Sequence, residues 1–164
     1  MPESADGCLK LHRVVWKKSY LSADGRRMLC WYTAPDAESI RIALRQLQAK
    51  MDGVWAGTVS GNDGPGSPAL SDANFLAEFR FRAPRGTGEF DAVARALNED
   101  GVTFVRGFAS TRDSMGVCIV QAPDDRLVQT ALERCDVSIE AIWACTPIMP
   151  PVLATQSGAV STSG

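Results

Sequence analysis

The sequence predicts an α+β protein built from two diverged copies of one β-α-β-β-α-β unit, the first copy lacking its opening strand and helix. Three observations predict it. A shift of 88 residues lays the chain on itself without a gap: Cys30 falls on Cys118, Ala34-Pro35-Asp36 on Ala122-Pro123-Asp124, Ala43-Leu44 on Ala131-Leu132, and Trp55 on Trp143. Conservative pairs lie between these identities, among them Trp16 with Phe104, Lys18 with Arg106 and Tyr20 with Phe108. From residue 75 onward, apolar periods of two and of 3.6 residues follow one another in the order strand, helix, strand, strand, helix, strand.

The second copy is complete. Phe75, Ala77, Phe79 and Phe81 alternate with Glu78, Arg80 and Arg82, the pattern of a half-buried strand that Pro84-Arg85-Gly86 ends. Phe90, Val93, Ala94 and Leu97 form an apolar stripe on a helix over 88–98. Residues 102–109 and 115–121 read as two strands around a polar turn. Asp124 then supplies a helix N-cap ahead of Val128, Ala131, Leu132 and Cys135, and a last strand runs over 138–146. This is the split βαβ plan of ferredoxin-like domains.

The first copy repeats only the later elements. Residues 12–21 and 26–33 form a hairpin around Ser22-Ala23-Asp24-Gly25, followed by a helix after Asp36 with Ile40, Ala43, Leu44, Leu47 and Met51 inward, and by a short strand over 53–59. The expected organisation is an incomplete unit over 1–59, a Gly/Pro/Ser-rich linker over 60–74, a complete unit over 75–147 and a tail over 148–164. In the ferredoxin-like order the first strand is central, so its absence leaves a slot between the strands at 26–33 and 53–59 whose backbone groups need partners. Residues 7–11, the apolar run 148–153 or a second subunit are the expected fillers.

Composition narrows the function classes. With 45% apolar and 22% charged residues the chain is expected to fold, and a net charge of −2 without a basic block gives nothing to follow a phosphate backbone, so no nucleic-acid partner is expected. No apolar run is long enough to span a bilayer and the N-terminal residues are acidic and small, so no membrane partner and a cytoplasmic location are expected. Five widely spaced cysteines in apolar patterns read as reduced core residues.

The stretch 18–41, from Lys18-Ser19-Tyr20 through Asp24-Gly25-Arg26 to Cys30-Trp31-Tyr32 and Ala34-Pro35-Asp36-Ala37-Glu38-Ser39, resembles the centre of a bacterial domain-of-unknown-function family described as nickel-binding and ferredoxin-like. The resemblance covers most of the first copy and, more faintly, the second. It implies a small α/β sandwich whose sheets pair, by dimerisation or duplication, into a barrel-like body. At the helix position where the resemblance implies a histidine stands Ala43, and the chain has one histidine in all, so no metal site is expected.

As the only imidazole, His12 is the candidate general base, set at a strand entrance in phase with Trp16, Lys18 and Tyr20. Glu78, Arg80, Arg106 and Glu140, together with Trp16, Lys18 and Tyr20, are the candidate ligand-binding set: if two sheets pack face to face, these side chains line an interior and must pair or bind something. Cys30 and Cys118 read as core, and Trp55 and Trp143 as core anchors. No phosphate loop, dinucleotide fingerprint, zinc spacing or nucleophile elbow occurs, so no cofactor is expected. The functional expectation is a small-molecule-binding or accessory protein with its pocket between the two ferredoxin-like sheets, the alternative being a cofactor-independent α/β-barrel enzyme of oxygenase, isomerase or cyclase type, and the nickel-binding protein that the resemblance implies ranking behind both. A homodimer is compatible with either.

Overall fold

The computed structural model describes residues 3–61, 74–82 and 88–150. Among them are four helices, α1 (Glu3–Leu11), α2 (Ala37–Gln46), α3 (Glu89–Glu99) and α4 (Asp125–Glu133), and seven strands, β1 (Val15–Ser22), β2 (Met28–Thr33), β3 (Gly57–Ser60), β4 (Phe75–Phe81), β5 (Thr103–Ser110), β6 (Met115–Gln121) and β7 (Val137–Ile148).

Local chemistry sets the boundaries. The β1–β2 turn closes because Ser22 Oγ donates to Asp24 Oδ1 at 2.6 Å and accepts from the Arg27 amide at 2.9 Å, with Gly25 supplying a φ of +69°. Helices α2 and α4 begin alike: the Asp36 carboxylate accepts from the Ser39 amide at 2.7 Å, and that of Asp124 from the Leu127 amide at 2.8 Å.

All pairings are antiparallel, in the order β2-β1-β7-β4-β6-β5-β3, and the sheet curls into a half-barrel. On its outer face Ala77 and Phe79 pack with Phe90 and Leu97 of α3 and Val128 and Leu132 of α4, while Val14 packs with Leu9 of α1 and Ala43 of α2. The concave face carries a second apolar cluster that includes Tyr20, Leu76, Phe108, Val117, Ile119 and Cys145.

The two hairpins share one register. Lys18 faces Trp31, Ser19 faces Cys30 and Tyr20 faces Leu29, and at the offset of 88 residues Arg106 faces Ile119, Gly107 faces Cys118 and Phe108 faces Val117. Each hairpin carries a bulge at the same place, between Trp16 and Lys18 and between Phe104 and Arg106. The joints between the two halves match as well: β3 pairs Gly57 with Ser110 and Ser60 with Gly107, and β7 pairs Cys145 with Ser22 and Ile148 with Ser19.

The opening helix expected to be missing is present as α1, which packs on α2. Its Gly7 to Leu11 portion is therefore helical and does not fill the slot. His12 follows the end of α1 instead of opening a strand. The bulge also breaks the expected phase of Trp16 with Lys18 and Tyr20, because an extra residue in one strand turns the following side chains to the other face. Strand β7 runs on to Ile148, beside Ser19 of β1, so Ile148 does not occupy the slot between β2 and β3. Residues 151–153 of that run, and 62–73 of the expected linker, lie outside the described residues. Among the described residues no helix is long and apolar enough to cross a membrane.

Candidate functional site: the open seam of the sheet

Because the bulge in each hairpin resets the alternation, Lys18 and Tyr20 of β1 and Arg106 and Phe108 of β5 all turn to the concave face. Lys18 is 1% exposed, Arg106 3% and Tyr20 0%. The Arg106 guanidinium lies over the Trp31 ring at 4.9 Å from its centroid, and the Lys18 ammonium sits 5.9 Å from the Tyr20 ring. Lys18 makes no ion pair among the described residues. Burial, and then the nearby Arg106 charge, hold its pKa below the ordinary value. Burial pushes the Tyr20 hydroxyl up to about 12 against an opposing pull from Arg106, and that hydroxyl has no hydrogen-bond partner among the described residues.

Glu78, Arg80 and Glu140 form a separate, part-exposed patch in which polar groups satisfy one another. Trp143 Nε1 donates to Glu78 Oε1 at 2.7 Å, with Arg27 Nη1 3.9 Å from the same oxygen, and Arg80 Nε bonds Glu140 Oε1 at 2.6 Å. Trp16 is not on the concave face: it packs with Leu9 and Val14 under the helices, its Nε1 donating to Ser19 Oγ at 2.9 Å. His12 joins α1 to α2 through Gln46 Oε1 at 3.0 Å. The structure thus brings together Lys18, Tyr20 and Arg106, brings together Glu78, Arg80 and Glu140, and leaves Trp16 and His12 apart from both.

An apolar concavity lies elsewhere, where the sheet stops. A cavity of about 540 Å³ opens between the edge strands β2 and β3, walled by Leu29, Trp31, Trp55 and Phe108 toward the sheet interior and by Ile40 and Leu44 of α2 on the other side. Arg26, Lys50 and Asp52 stand at its rim. The segment carrying Trp55 is tied down at both ends: Arg41 Nη2 donates to the Val54 carbonyl at 2.8 Å, and the Thr111 amide to that of Ala56 at 2.9 Å. A second cavity of about 520 Å³, between α4 and β7, is lined mainly by polar side chains such as Arg82, Asp125, Gln129 and Glu133 and is a shallow solvated groove.

Groove walls built from Leu29, Ile40, Leu44 and Phe108 carry no polar signature, so a search for titratable clusters passes over them; the unpaired strands at 26–33 and 53–59 are the only sequence signal that points there. The chemistry on offer is apolar and aromatic contact with a few rim charges. Burial pushes Cys118 up to about 12 and Cys145 up to about 11, so neither of these two is a ready nucleophile. Among the described residues no three His, Cys, Asp or Glu side chains converge on a point where a metal could sit. No family model, no curated protein and no solved structure matches the chain.

Proposed function

We propose that the chain is a binding protein, taking an apolar ligand in the groove at the open seam between two ferredoxin-like units, the first of them incomplete. The observation that carries this reading is the seam itself: two neighbouring tryptophans, Trp31 and Trp55, and the aliphatic wall of α2 surround about 540 Å³ of space. The matched registers and bulges at the 88-residue offset support the two-unit reading, as does the strand order β7-β4-β6-β5 of the second half. Free cysteines support a reducing, cytoplasmic setting. A barrel enzyme would have to draw its reacting groups from Lys18, Tyr20 and Arg106, and these are packed among side chains instead of lining the groove.

The test is titration with 8-anilinonaphthalene-1-sulfonate, followed by energy transfer from tryptophan. The protein should enhance the dye's emission, and Leu44→Arg, which places a guanidinium in the groove, should abolish the enhancement while the circular dichroism stays unchanged. Equal dye binding by the folded variant overturns the proposal.

A further inference from the structure

The groove has the outline of a missing strand. Each strand of the sheet runs antiparallel to its neighbour, and with seven strands the two edges, β2 and β3, point the same way. They cannot pair antiparallel with each other, but one strand placed between them would be antiparallel to both. The other half of the molecule shows such a strand in place, since β4 lies between β6 and β7. Its Leu76 faces Ile119 on one side and Trp143 on the other. At the 88-residue offset those two positions are Trp31 and Trp55, the walls of the groove.

The backbone around the groove agrees. Strand β7 is twelve residues long because Val137 to Ala144 pair with β4, whereas β3 has four residues and begins only at Gly57. The stretch 53–56, including Val54 and Trp55, has no strand partner and is not a strand. Nor are the edges protected in the usual way. Neither β2 (Met-Leu-Cys-Trp-Tyr-Thr) nor β3 (Gly-Thr-Val-Ser) carries a charge or a proline, and Met28 and Val59 stand 59% and 43% exposed there.

Resting on the binding reading above, we infer that the ligand is a polypeptide: an extended strand from a partner chain, alternately apolar, that inserts antiparallel between β2 and β3 and seats one apolar side chain between Trp31 and Trp55. Main-chain hydrogen bonds to both edges would give affinity, and the groove would select the inward side chain.

The probe is a peptide with the β4 sequence Phe-Leu-Ala-Glu-Phe-Arg-Phe, flanked by lysines for solubility, and the readout is amide hydrogen exchange of the whole protein. Binding should slow exchange by about tenfold or more at β2 and β3, as paired edges do, extend protection to Val54, Trp55 and Ala56, and displace the dye. The same peptide with alternate amides N-methylated should do neither. If the methylated peptide binds equally well, or the dye is displaced without protection of either edge, the ligand is not a strand, even where dye binding itself upholds the groove. If the free protein is a dimer in solution with β2 and β3 already protected, a second copy occupies the seam and the partner-chain inference falls.

Discussion

Trp31 meets Phe108 edge-on, ring centroids 5.4 Å apart and planes inclined at 65°, although β2 and β5 are separated by four strands in the sheet order. The contact is a chord across the concave face. It is formed only because the sheet curls, and it ties the first hairpin to the second across the concave face. Phe108→Ala should cost about 3 to 5 kcal/mol as a buried aromatic truncation. The double variant with Trp31→Ala should fall short of additivity by about 0.5 to 1.5 kcal/mol, the usual coupling of an aromatic pair. Urea denaturation of the four proteins in the cycle measures this, and strict additivity would show that the chord is not an energetic contact.

Tyr20 has a buried hydroxyl with no partner among the described residues, and Phe108 occupies the equivalent position of the second hairpin. Tyr20→Phe should therefore raise the unfolding free energy at pH 7 by about 1 kcal/mol, since an unsatisfied buried polar group costs about 1 to 3 kcal/mol. The variant should also change the alkaline limb. Burial raises the Tyr20 pKa from 10.0 to about 12, so the folded protein keeps a proton that the unfolded chain releases. Stability from this group is complete below pH 10 and lost as pH rises through 12. Unfolding free energies of the two proteins, measured from pH 8 to 12, should diverge as pH rises, the phenylalanine variant falling less steeply; parallel curves would mean that burial does not raise the Tyr20 pKa.

Lys18 carries the opposite sign. Burial and the Arg106 charge lower its pKa below 10.5, so in that interval the unfolded chain binds the proton that the folded chain gives up. Stability from this position rises with pH and is lowest where the ammonium is fully charged. Lys18→Met should be more stable than the parent at pH 7 and lose part of its advantage as pH approaches 10.5. A variant less stable at every pH would show that the ammonium is net favourable where it lies.

Most secondary structure was legible because the apolar periods are strong: the stripes at Ile40 and Ala43, and at Val128, Ala131 and Leu132, mark α2 and α4 correctly, and the offset of 88 residues carries through to the pairing registers. Helix α1 was not legible, since Gly7 weakens its helical signal and Ala5 and Leu9 are too few buried apolar residues to establish a period. The bulges were missed for a different reason. An extra residue such as Lys17 leaves no compositional mark, yet it sends Trp16 and Lys18 to opposite faces and divides the candidate site residues. The groove was visible only as two strands with one neighbour too few.

Equivalent positions in the two halves should not respond equally. Leu132 of α4 is fully buried between that helix and the sheet, whereas Leu44, its counterpart, borders the groove. Leu132→Ala should cost about 2 to 5 kcal/mol, as core leucine truncations do. Leu44→Ala leaves less of a new cavity behind because one is already there, and its cost should be less than half as large. Equal losses in urea denaturation would mean that the groove is closed in solution.

Gly57 separates the binding reading from a merely structural one. A Cβ at this position would lie 2.6 Å from the Trp55 ring and 2.8 Å from the Ala109 carbonyl oxygen. The carbonyl belongs to β5, which pairs with β3 through Thr58, so it cannot retreat without breaking the ladder that holds β3 to the sheet. The indole is the freer of the two, and it must swing. Cys145 stands at the equivalent place in β7 with its side chain packed in the concave cluster, so a side chain fits there in the second half, whereas at Gly57 both the Trp55 ring and the Ala109 carbonyl oxygen stand in its way. Gly57→Ala should therefore destabilise by about 1 to 3 kcal/mol, the usual cost of overpacking, and should shift tryptophan emission and weaken dye binding in the groove together. Loss of stability with unchanged dye affinity would show that Trp55 forms no part of the binding wall, and that Trp31 and α2 alone make the site.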